Sequence, residues 1–484
     1  MTFDRLLRIV GAGGVAVRLD SRLVCPGDVF VAVRGAAADG HDFADDARKR
    51  GARYVVCERP LCGQGCEIIV VNDSAVAAAR LAQAGAGEPA ARLTNLAVTG
   101  TNGKTTVAFL VRGCLEAAGV PCGMIGTIAY HSGSGERRSI LTTPDATMIA
   151  EQQARMVGAG LEYMVIEASS HGLQQGRLAC IDFKAAAFTN LGGDHLDYHK
   201  SRRDYLAAKS RLFEGLSSGS AAVLNADSPE SSMIASKTGA RIIWYGVDGV
   251  PDSTGPPTRR RDLTARVESM DIDGTSFVIE YAGSTERVRN RLLGLHNVAN
   301  CLAAAGLVIA AGLEPAAAAA GLSAAPVVPG RLERLDGHGF YVFIDYAHTD
   351  DALRCALSTL RPLCGGALTV VFGCGGDRDK SKRPRMGRVA EELADRVIIT
   401  SDNPRTEPAE AIIAQVAAGL ANPSSPAITA EPDREAAIEL ALRDARAGDV
   451  VLVAGKGHED YQIIGTDRIS FSDRAVAARC LAVA

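Results

Sequence analysis

The sequence lacks a strong charge of either sign, a long apolar run and a dense cysteine pattern. Its 52 Lys and Arg residues are balanced by 56 Asp and Glu residues, which gives a net charge of −4. Nucleic acid and anionic membrane surfaces are therefore not expected as partners. The longest apolar run, residues 301–313, ends at Glu314 and Pro315. It is too short to cross a bilayer, so membrane insertion is not expected either.

Twelve cysteines are scattered over 484 residues, which is not the density of a disulfide-stabilised mini-protein. The tightest group, Cys57, Cys62 and Cys66, has no fourth ligand for a structural metal. We expect reduced and mostly buried thiols. The first residues contain no apolar core of signal-peptide length, and a cytoplasmic protein is expected.

The length of the chain and the pattern of apolar and polar stretches along it predict an α/β protein with three domains. Residues 1–89 mix short β-rich runs with an alanine-rich helix, which indicates a small mixed α/β domain. Residues 90–326 carry near-continuous apolar strands separated by helices, typical of a parallel sheet, with a small antiparallel addition around Asp273 and Gly274. Residues 327–484 repeat a strand followed by a polar loop, which indicates a Rossmann-like domain.

The central segment opens with LAVTGTNGKTT, a short strand that runs into a glycine-rich loop and a helix. Gly100 and Gly103 allow the loop to turn its N–H groups inward, and Lys104 supplies a positive charge. Thr105 or Thr106 offers a hydroxyl to Mg²⁺. The stretch therefore predicts an ATP-binding phosphate loop, although its glycines are closer together than in the common P-loop.

Four strands of the last segment each run directly into a polar or glycine-rich loop. These loops begin at Asp345, Gly373, Ser401 and Gly455. In an open parallel sheet all four lie along the carboxyl edge, where such folds bind ligands. The sequence therefore predicts a second binding site in this segment.

Three residues of the central segment have roles that the residues alone leave open. Glu167 ends an apolar strand, where it can bind Mg²⁺, cap a helix or be an ordinary surface glutamate. His195 lies four residues before His199, but no HExxH motif is present and Mg²⁺ prefers oxygen ligands, so its role stays ambiguous. Lys209 lies in a helical stretch, and a solvated lysine is the default expectation.

Charged residues of the last segment also allow two interpretations. Arg331 and Asp345 can contact a phosphate and a ribose hydroxyl or metal, or they can form a structural ion pair. Arg378, the SDNPR stretch and Glu459 can grip a zwitterion, with arginine on its carboxylates and the acid on its ammonium group. A polar rim without a ligand is the alternative.

The chain resembles the Mur ligase family, which builds the peptide of bacterial cell-wall precursors. The motifs that carry the resemblance occur in family order over essentially the whole chain: GTNGKTT, EASSHGL, TNLGGDHLDYH, LGLHNVAN, VPGRLE, DYAHT, FGCGGDRDKSKRP, SDNPRTEP and VAGKGHEDYQ. The resemblance implies an ATP-dependent, ADP-forming amide ligase. ATP phosphorylates a carboxylate of a nucleotide-peptide, and an amine attacks the acyl phosphate. Positioning the reactants and screening their charge are most of the catalysis.

The resemblance also implies roles for individual residues of the ATP site. The implied catalytic residues are Lys104, Glu167, His195 and Lys209. The implied Mg²⁺ ligands are Thr105, Glu167, His195 and a carbamylated Lys209, since a carbamate supplies oxygen ligands where an ammonium would repel the metal. The implied ATP-binding residues are Gly100, Thr101, Asn102, Gly103, Lys104, Thr105, Thr106, His296, Asn297, Arg331 and Asp345.

The substrates implied by the resemblance are UDP-N-acetylmuramoyl-L-alanyl-D-glutamate and meso-diaminopimelate. The implied nucleotide-peptide residues are Ser21, which meets the uracil end, Thr142, Thr143, Ser169, Gln175 and Arg177. The implied diaminopimelate residues are Arg378, Asp402, Asn403, Pro404, Arg405, Gly455 and Glu459. Arg405 discriminates against lysine, which lacks the distal carboxylate and would leave a buried charge unpaired at a cost of about 3–5 kcal/mol.

Two stretches depart from the family pattern. Asp350 stands where many relatives carry proline, so that a stiff turn becomes acidic, and residues 36–38 lack larger polar side chains near the uracil. Alternative functions are the same ligase reaction with L-lysine, or a P-loop NTPase that couples hydrolysis to partner binding. An NTPase would not need a zwitterion pocket, and a non-catalytic binding module would not need Lys104 and Glu167. A monomeric ligase is expected.

Overall fold

The computed structural model describes residues 1–35, 38–61, 65–133, 135–193, 196–249 and 261–483. Within these residues the strands form three sheets of four, eleven and six strands, one after another along the chain, and a separate two-stranded hairpin. This arrangement confirms the predicted α/β class. Among the described residues, no helix is both long and apolar enough to cross a membrane.

The first sheet is small and, in the residues described, contains four parallel strands in sequential order. The strands are β1 (Val17–Arg18), β2 (Val29–Val31), β3 (Tyr54–Cys57) and β4 (Glu67–Val70). The helices are α1 (Phe3–Gly11), α2 (Ala44–Lys49) and α3 (Ser74–Gly85). Helices α1 and α3 cover one face of the sheet with Leu6, Val10 and Leu81, and α2 covers the other with Ala44 and Ala47.

The second sheet has eleven strands in the described chain, in the order β15-β14-β13-β12-β11-β10-β5-β9-β6-β7-β8. The strands are β5 (Thr94–Thr99), β6 (Cys122–Ile125), β7 (Ala129–His131), β8 (Glu136–Arg138), β9 (Tyr163–Glu167), β10 (Phe183–Phe188), β11 (Ala221–Asn225), β12 (Arg241–Val247), β13 (Leu263–Asp271), β14 (Gly274–Tyr281) and β15 (Ser284–Asn290). The run from β6 to β13 is parallel, as the continuous apolar strands predicted.

Helices cover both faces of this sheet. They are α4 (Lys104–Ala117), α5 (Ala146–Gly158), α6 (Ser170–Gln174), α7 (Leu196–His199), α8 (Arg202–Glu214), α9 (Ser231–Ala235), α10 (Leu295–Ala310) and α11 (Pro315–Ala324). One core lies between the strands and α4, α10 and α11, around Val107, Leu302 and Leu322. A second core lies on the opposite face, around Ile149 of α5 and Phe213 of α8.

Both edges of the second sheet are antiparallel. The predicted hairpin joins β13 to β14, and the chain then turns at Ala282 and Gly283 into β15, which the sequence analysis did not predict. At the other edge β7 and β8 form a hairpin beside β6, which was also not predicted. Strand β8 reads ERR and is exposed along its length, so it carries no alternation of apolar and polar residues.

The third sheet has the order β16-β17-β21-β18-β19-β20 in the described part of the chain, and only β16 is antiparallel to its neighbour. Its strands are β16 (Glu333–Asp336), β17 (Tyr341–Asp345), β18 (Leu368–Phe372), β19 (Arg396–Ile399), β20 (Ile428–Ala430) and β21 (Val450–Ala454). The hairpin is β22 (Tyr461–Ile464) and β23 (Asp467–Ser470). The helices are α12 (Asp350–Leu360), α13 (Lys382–Leu393), α14 (Ala409–Ala417), α15 (Arg434–Arg443) and α16 (Asp473–Val483).

The four strands predicted to end in polar loops are adjacent and parallel in this third sheet. Strand β21 lies between β17 and β18, and β19 follows β18, so all four loops leave the same edge. The predicted clustering of these loops at the carboxyl edge is confirmed.

Polar contacts join the three sheets. In the interior, Gln83 of α3 donates from Nε2 to Gln153 Oε1 of α5 at 2.7 Å. At the surface, Arg138 of β8 donates from Nη1 to Asp460 Oδ2 at 3.0 Å. The central sheet is therefore in contact with the helix layer before it and with the loops after it.

Candidate functional site

The phosphate loop connects the end of β5 to the start of α4. Gly100 (φ +151°) and Gly103 (φ +87°) have backbone conformations that favour glycine. A Cβ atom on Gly103 would lie 2.3 Å from Asn300 Oδ1 of α10, so no side chain fits there. Lys104 Nζ donates to the carbonyl oxygens of Gly100 at 2.9 Å and Thr101 at 2.8 Å. The lysine therefore folds back over the loop that precedes it.

Glu167 ends β9, the strand beside β5, and its side chain is completely buried. Its Oε1 accepts from the backbone N–H of Thr127 at 2.8 Å, and its Oε2 accepts from Thr127 Oγ1 at 2.9 Å and from Thr105 Oγ1 at 3.0 Å. The helix that follows is capped by Ser169, so the capping interpretation of Glu167 is wrong. A carboxylate and a threonine hydroxyl next to a phosphate loop are oxygen ligands of the kind that Mg²⁺ prefers.

Lys209 is almost completely buried, with 1% of its surface exposed. The default expectation of a solvated lysine is therefore wrong. Its Nζ donates to Gly100 O at 2.8 Å, the same carbonyl that accepts from Lys104, and lies 4.3 Å from the centre of the Tyr205 ring. Helix α8 places Lys209 next to the phosphate loop. The helical pattern of the sequence does not predict this tertiary contact.

The TNLGG stretch after β10 packs directly on the phosphate loop. Thr189 Oγ1 donates to Asn102 O at 2.6 Å, and Asn190 Oδ1 accepts from the backbone N–H of Asn102 at 3.0 Å. The hydroxyl of Thr101 accepts from the backbone N–H of Gly192 at 2.8 Å. This stretch therefore fixes the tip of the loop. His195, which belongs to the same motif, lies outside the described residues.

His296 and Asn297 start α10 on the other side of the loop, where Thr106 is buried in the first turn of α4. Burial lowers the pKa of His296 to about 4, so its imidazole is neutral near pH 7. Asn297 Nδ2 donates to Leu293 O at 2.8 Å, and its Oδ1 accepts from Asn300 at 3.0 Å. Because Asn300 lies against Gly103, these residues extend the surface of the phosphate loop.

Arg331 lies just before β16 and contacts the first turn of α4, and Asp345 ends β17. Arg331 Nη2 donates to Thr105 Oγ1 at 3.2 Å. Asp345 accepts from the backbone N–H groups of Leu332 at 2.7 Å and Ala347 at 2.8 Å. Burial raises the pKa of Asp345, and the charge of Arg331 opposes that shift. Within the described chain no ion pair joins the two side chains, so the structural ion-pair interpretation is wrong.

Four of the residues expected to hold the nucleotide-peptide form one network beside Glu167. Arg177 donates from Nη1 to Thr143 O at 2.6 Å and from Nη2 to Gln175 Oε1 at 2.7 Å. Thr143 Oγ1 donates to Glu167 O at 2.6 Å and accepts from the backbone N–H of Ser169 at 2.9 Å. Desolvation lowers the pKa of Arg177, although the residue remains a strong cation.

The other two expected nucleotide-peptide residues lie at different places. Thr142 Oγ1 is 3.1 Å from Thr127 Oγ1, so it extends the network on Glu167. Ser21 is buried in a short 3-10 helix between β1 and β2. It is not among the described residues that line the cleft between the central and third sheets. The structure therefore brings five of the six residues together and leaves Ser21 apart. Residues 36–37, next to the expected uracil end, lie outside the described residues.

A cleft of about 1250 Å³ opens between the central and third sheets. Thr127 and Thr142 line it from the central side, so it reaches the residues that surround Glu167. The lining residues from the expected diaminopimelate set are Arg378, Asp402, Asn403, Arg405, Gly455 and Glu459. Residues from three loops, up to 81 positions apart in the sequence (Arg378 to Glu459), therefore converge because their loops share one sheet edge.

Arg405 has a left-handed backbone (φ +53°), held by hydrogen bonds with β22. Its Nη1 donates to Gly376 O at 2.8 Å and to Asn403 O at 3.4 Å. Its Nε and Nη2 make no hydrogen bond within the part of the chain that is described. One edge of the guanidinium fork is therefore available to a carboxylate, and Arg405 lines the cleft.

Asn403 and Glu459 lie next to Arg405. Asn403 Nδ2 donates to Glu459 Oε2 at 2.9 Å, and Tyr461 OH donates to Glu459 Oε1 at 3.3 Å. Burial, followed by the Glu459 charge, raises the pKa of Tyr461, so its hydroxyl remains protonated. A cation and a carboxylate therefore face one cleft, which matches the two ends of an amino acid.

The remaining residues of this set support the pocket in different ways. Arg378 is exposed and lines the cleft. A Cβ on Gly455 would lie 2.8 Å from Asp402 Oδ2, and a Cβ on Gly376 would lie 1.8 Å from Pro404 O. The loops after β18, β19 and β21 therefore pack closely enough that a side chain at either glycine would disrupt them.

Two residues of the site were missed by the sequence analysis. Thr127 follows β6 and makes two hydrogen bonds to Glu167; its only sequence signal is a glycine and a threonine after a short apolar strand. Lys456 lies within the GKGHE motif and contacts Glu459 at 2.9 Å.

The acidic turn at Asp350 is paired with a cation, because Arg385 donates to both carboxylate oxygens of Asp350, at 2.9 and 3.3 Å.

Three family descriptions match consecutive parts of the chain. They are "Mur ligase family, catalytic domain" over residues 15–97, "Mur ligase middle domain" over residues 98–308 and "Mur ligase, glutamate ligase domain" over residues 330–457. The chain belongs to the Mur ligase family. A relative from Geobacillus thermodenitrificans, a UDP-N-acetylmuramoyl-L-alanyl-D-glutamate–2,6-diaminopimelate ligase, is 42% identical over 470 residues, which cover 96% of this chain and 94% of the relative.

Solved structures show the same fold. A structure of UDP-N-acetylmuramoyl-L-alanyl-D-glutamate–2,6-diaminopimelate ligase is 32% identical, has a TM-score of 0.67, and covers 97% of this chain and 94% of its own. The MurF ligase of Thermotoga maritima, solved in complex with ADP, is 19% identical with a TM-score of 0.61, and covers 97% of this chain and 96% of its own. The second likeness concerns the fold alone.

Proposed function

We propose that this Mur ligase uses ATP to join meso-diaminopimelate to the D-glutamate of UDP-N-acetylmuramoyl-L-alanyl-D-glutamate, a step of peptidoglycan precursor synthesis. The reaction is that of an ATP-dependent, ADP-forming amide ligase and proceeds through an acyl phosphate. The observation that carries the proposal is the meeting of Arg405, Asn403 and Glu459 in a cleft that also reaches Thr127 and Thr142, beside Glu167. The relative from Geobacillus thermodenitrificans, by its name, acts on these substrates.

The phosphate loop binds ATP in this proposal. Lys104 directs its charge at the phosphoryl group that is transferred, and Arg331 supports it from the third sheet through Thr105. His296, Asn297 and Asp345 hold the nucleoside side. These residues position the reactants and screen their negative charge. Because no protein side chain forms a covalent intermediate in this reaction, positioning and charge screening provide most of the rate enhancement.

Mg²⁺ fits the oxygen atoms beside the loop. Thr105 Oγ1 and the Glu167 carboxylate are 3.0 Å apart and buried, and they belong to the ligand class that Mg²⁺ prefers. We propose that these two residues, His195 and a carbamylated Lys209 hold the metal. Mg²⁺, when bound, neutralises charge on the phosphates. A carbamate on Lys209 would replace a buried cation with oxygen ligands.

The nucleotide-peptide is held by Thr142, Thr143, Ser169, Gln175 and Arg177 in this account, with Ser21 at the uracil end. Diaminopimelate lies in the cleft, where Arg405 and Arg378 bind its carboxylates and Glu459 binds an ammonium group. Proposed domain limits are 1–89, 90–326 and 327–484, which fall in connections between the sheets: α3 ends at Gly85 and β5 begins at Thr94. We also propose that the enzyme is monomeric and works in the cytoplasm, where ATP is available.

The experiment that tests the proposal is a competition. Purified protein is incubated with ATP, Mg²⁺ and the nucleotide-dipeptide in the presence of equal meso-diaminopimelate and L-lysine, and the products are identified by mass. We expect the diaminopimelate product and ADP. A lysine product would overturn the choice of amino acid but keep the ligase, whereas ATP hydrolysis that ignores both substrates would indicate an NTPase.

A further inference from the structure

Lys456 lies behind the amino-acid end of the cleft, in the loop after β21. It stands between Gly455 (φ +114°) and Gly457 (φ +52°), two left-handed positions that turn the chain sharply and direct the lysine inward. Its side chain is completely buried, and it is not among the described residues that line the cleft. Direct contact with a substrate in the cleft is therefore not its role.

The ammonium group of Lys456 contacts three side chains. Its Nζ donates to Glu459 Oε2 at 2.9 Å and to Asn403 Oδ1 at 3.1 Å, and it lies 5.3 Å from the centre of the Tyr461 ring. A buried ammonium group is costly unless it is paired and hydrogen-bonded. The arrangement therefore holds Glu459, Asn403 and Tyr461 around the Nζ atom of Lys456.

The same contacts fix the orientation of Asn403. Its Oδ1 accepts from Lys456 Nζ and from the backbone N–H of Ile463 at 3.0 Å. Both partners can only donate, so the amide oxygen must face them and the amide NH₂ must face away. That NH₂ donates to Glu459 Oε2 at 2.9 Å. Lys456 therefore acts on Glu459 both directly and through Asn403.

These bonds leave the two oxygens of Glu459 unequal. Its Oε2 accepts from Lys456 and Asn403, whereas its Oε1 accepts only from Tyr461 OH, at 3.3 Å, in the described structure. A carboxylate oxygen can accept two hydrogen bonds, so Oε1 keeps one position open. The side chain lines the cleft and is 16% exposed.

We propose that Lys456 is a positioning residue for the amino-acid substrate. It anchors Oε2 of Glu459 and so aims Oε1 at an ammonium group in the cleft. The proposal rests on the proposed function for the identity of the ligand, a diamino acid, but the anchoring itself is a property of the chain. An isolated Glu459 would have to be ordered by the substrate, which weakens binding.

Lys456→Met tests the proposal, because methionine preserves much of the side-chain length but removes the charge and the donors. We expect the KM for meso-diaminopimelate to rise at least about tenfold, while kcat and the KM values for ATP and the nucleotide-dipeptide change less than about threefold. Lys237→Met is the matched control, since Lys237 also pairs with a glutamate, Glu214, at 2.8 Å but on the exposed surface. Equal losses in all parameters, or an unchanged KM for the amino acid, would overturn the proposal.

A double-mutant cycle separates positioning from direct binding. In a Glu459→Gln background, Lys456→Met should change the KM for the amino acid less than about twofold, because its route to the substrate runs through Glu459. A full tenfold effect in that background would contradict the proposal. If Lys456→Met does not fold, Lys456→Gln, which keeps a polar group, is expected to show the same selective rise.

Crystal structures of the wild-type chain and of the foldable variant decide the matter without any assay. We expect the Glu459 carboxylate to move by more than about 1 Å, or to become disordered, when Lys456 is replaced. An unmoved Glu459 overturns the proposal. Should the wild-type chain yield no diaminopimelate product, the proposed function fails, and these structures still decide whether Lys456 anchors Glu459.

Discussion

The phosphate loop and the amino-acid cleft both gather charged residues, but they hold them at different depths. Around the loop, Glu167, Lys209 and Thr105 are each no more than 3% exposed. In the cleft, Arg378 is exposed and Arg405 is partly exposed. The loop side is thus a closed network for chemistry common to the family, and the cleft side is open enough to admit and choose an amine.

A second difference lies in how each region is supported. The carbonyl of Gly100 accepts from both Lys104, which is partly exposed, and Lys209, which is buried, so two lysines support the loop. Beside the cleft, the buried cation Lys456 contacts Glu459 and Asn403, which line it. Substitutions around the phosphate loop should therefore stop turnover, and substitutions in the cleft should change the affinity for the amino acid.

The largest effect is expected at Glu167. Glu167→Gln keeps the size of the side chain but removes the charge that faces Thr105 and Thr127, so turnover should fall about a thousandfold or more, roughly 4 kcal/mol in the barrier. Steady-state rates of ADP release with all substrates measure this loss, and circular dichroism checks the fold. A variant that retains a tenth of the activity would show that the buried network is not the chemical centre.

Lys209→Ala should reduce turnover about a hundredfold or more and respond to chemical rescue. Added short carboxylates should restore part of the rate if a carbamate is the working form, because they return oxygen atoms to the space beside Gly100. Rates with and without acetate provide the measurement, and Lys237→Ala provides a lysine control. Full activity without any additive would refute the proposed carbamylation.

Arg405→Ala should act on one substrate only. The KM for meso-diaminopimelate should rise about a hundredfold, since losing the charge-assisted hydrogen bonds to a carboxylate costs up to about 3 kcal/mol. The KM for ATP should remain within about threefold of wild type. Similar losses for both substrates would mean that the cleft and the loop are not separate in function.

A smaller effect is expected from acid. Burial holds the pKa of His296 at about 4, below the unfolded value of about 6.5. The neutral form is favoured in the folded state, so this stability is present above pH 6.5 and is lost as the pH falls towards 4. The free energy of unfolding should drop by about 1.3 kcal/mol between pH 7.5 and 5.5 through this group.

Denaturant unfolding at the two pH values measures this drop. His296→Gln should flatten the pH dependence by that amount, whereas His338→Gln, at an exposed histidine, should leave it as in wild type. If the free energy of unfolding of His296→Gln depended on pH as it does in wild type, the imidazole of His296 would not be desolvated in the folded protein.

The sequence was sufficient for those parts of the fold that follow from local pattern. The phosphate loop is marked by its glycines and lysine, and the four loops of the third sheet are marked by polar residues directly after apolar strands. Their convergence follows from parallel topology. The hairpin of β7 and β8 could not be predicted, because the exposed stretch Glu136–Arg138 has no apolar side to reveal it.

Side-chain partners could not be predicted in the same way. Lys209 and Lys456 look like ordinary polar positions in the sequence, yet both are buried because elements distant in the chain close over them. Arg383 and Arg434 are also completely buried, on helices whose spacing suggests a solvated face. Tertiary packing decides these cases, and a resemblance to a family was needed to single out Lys209.

The most direct test of this account is the product ratio of wild type and Arg405→Ala under equal meso-diaminopimelate and L-lysine. Both proteins receive ATP, Mg²⁺ and the nucleotide-dipeptide, and the two tripeptide products are counted by mass. We expect diaminopimelate product alone from wild type, and a ratio of diaminopimelate to lysine product that falls at least about tenfold in the variant while ligation continues. An equal ratio in both proteins would contradict the claim that the cleft of the third sheet selects the amino acid.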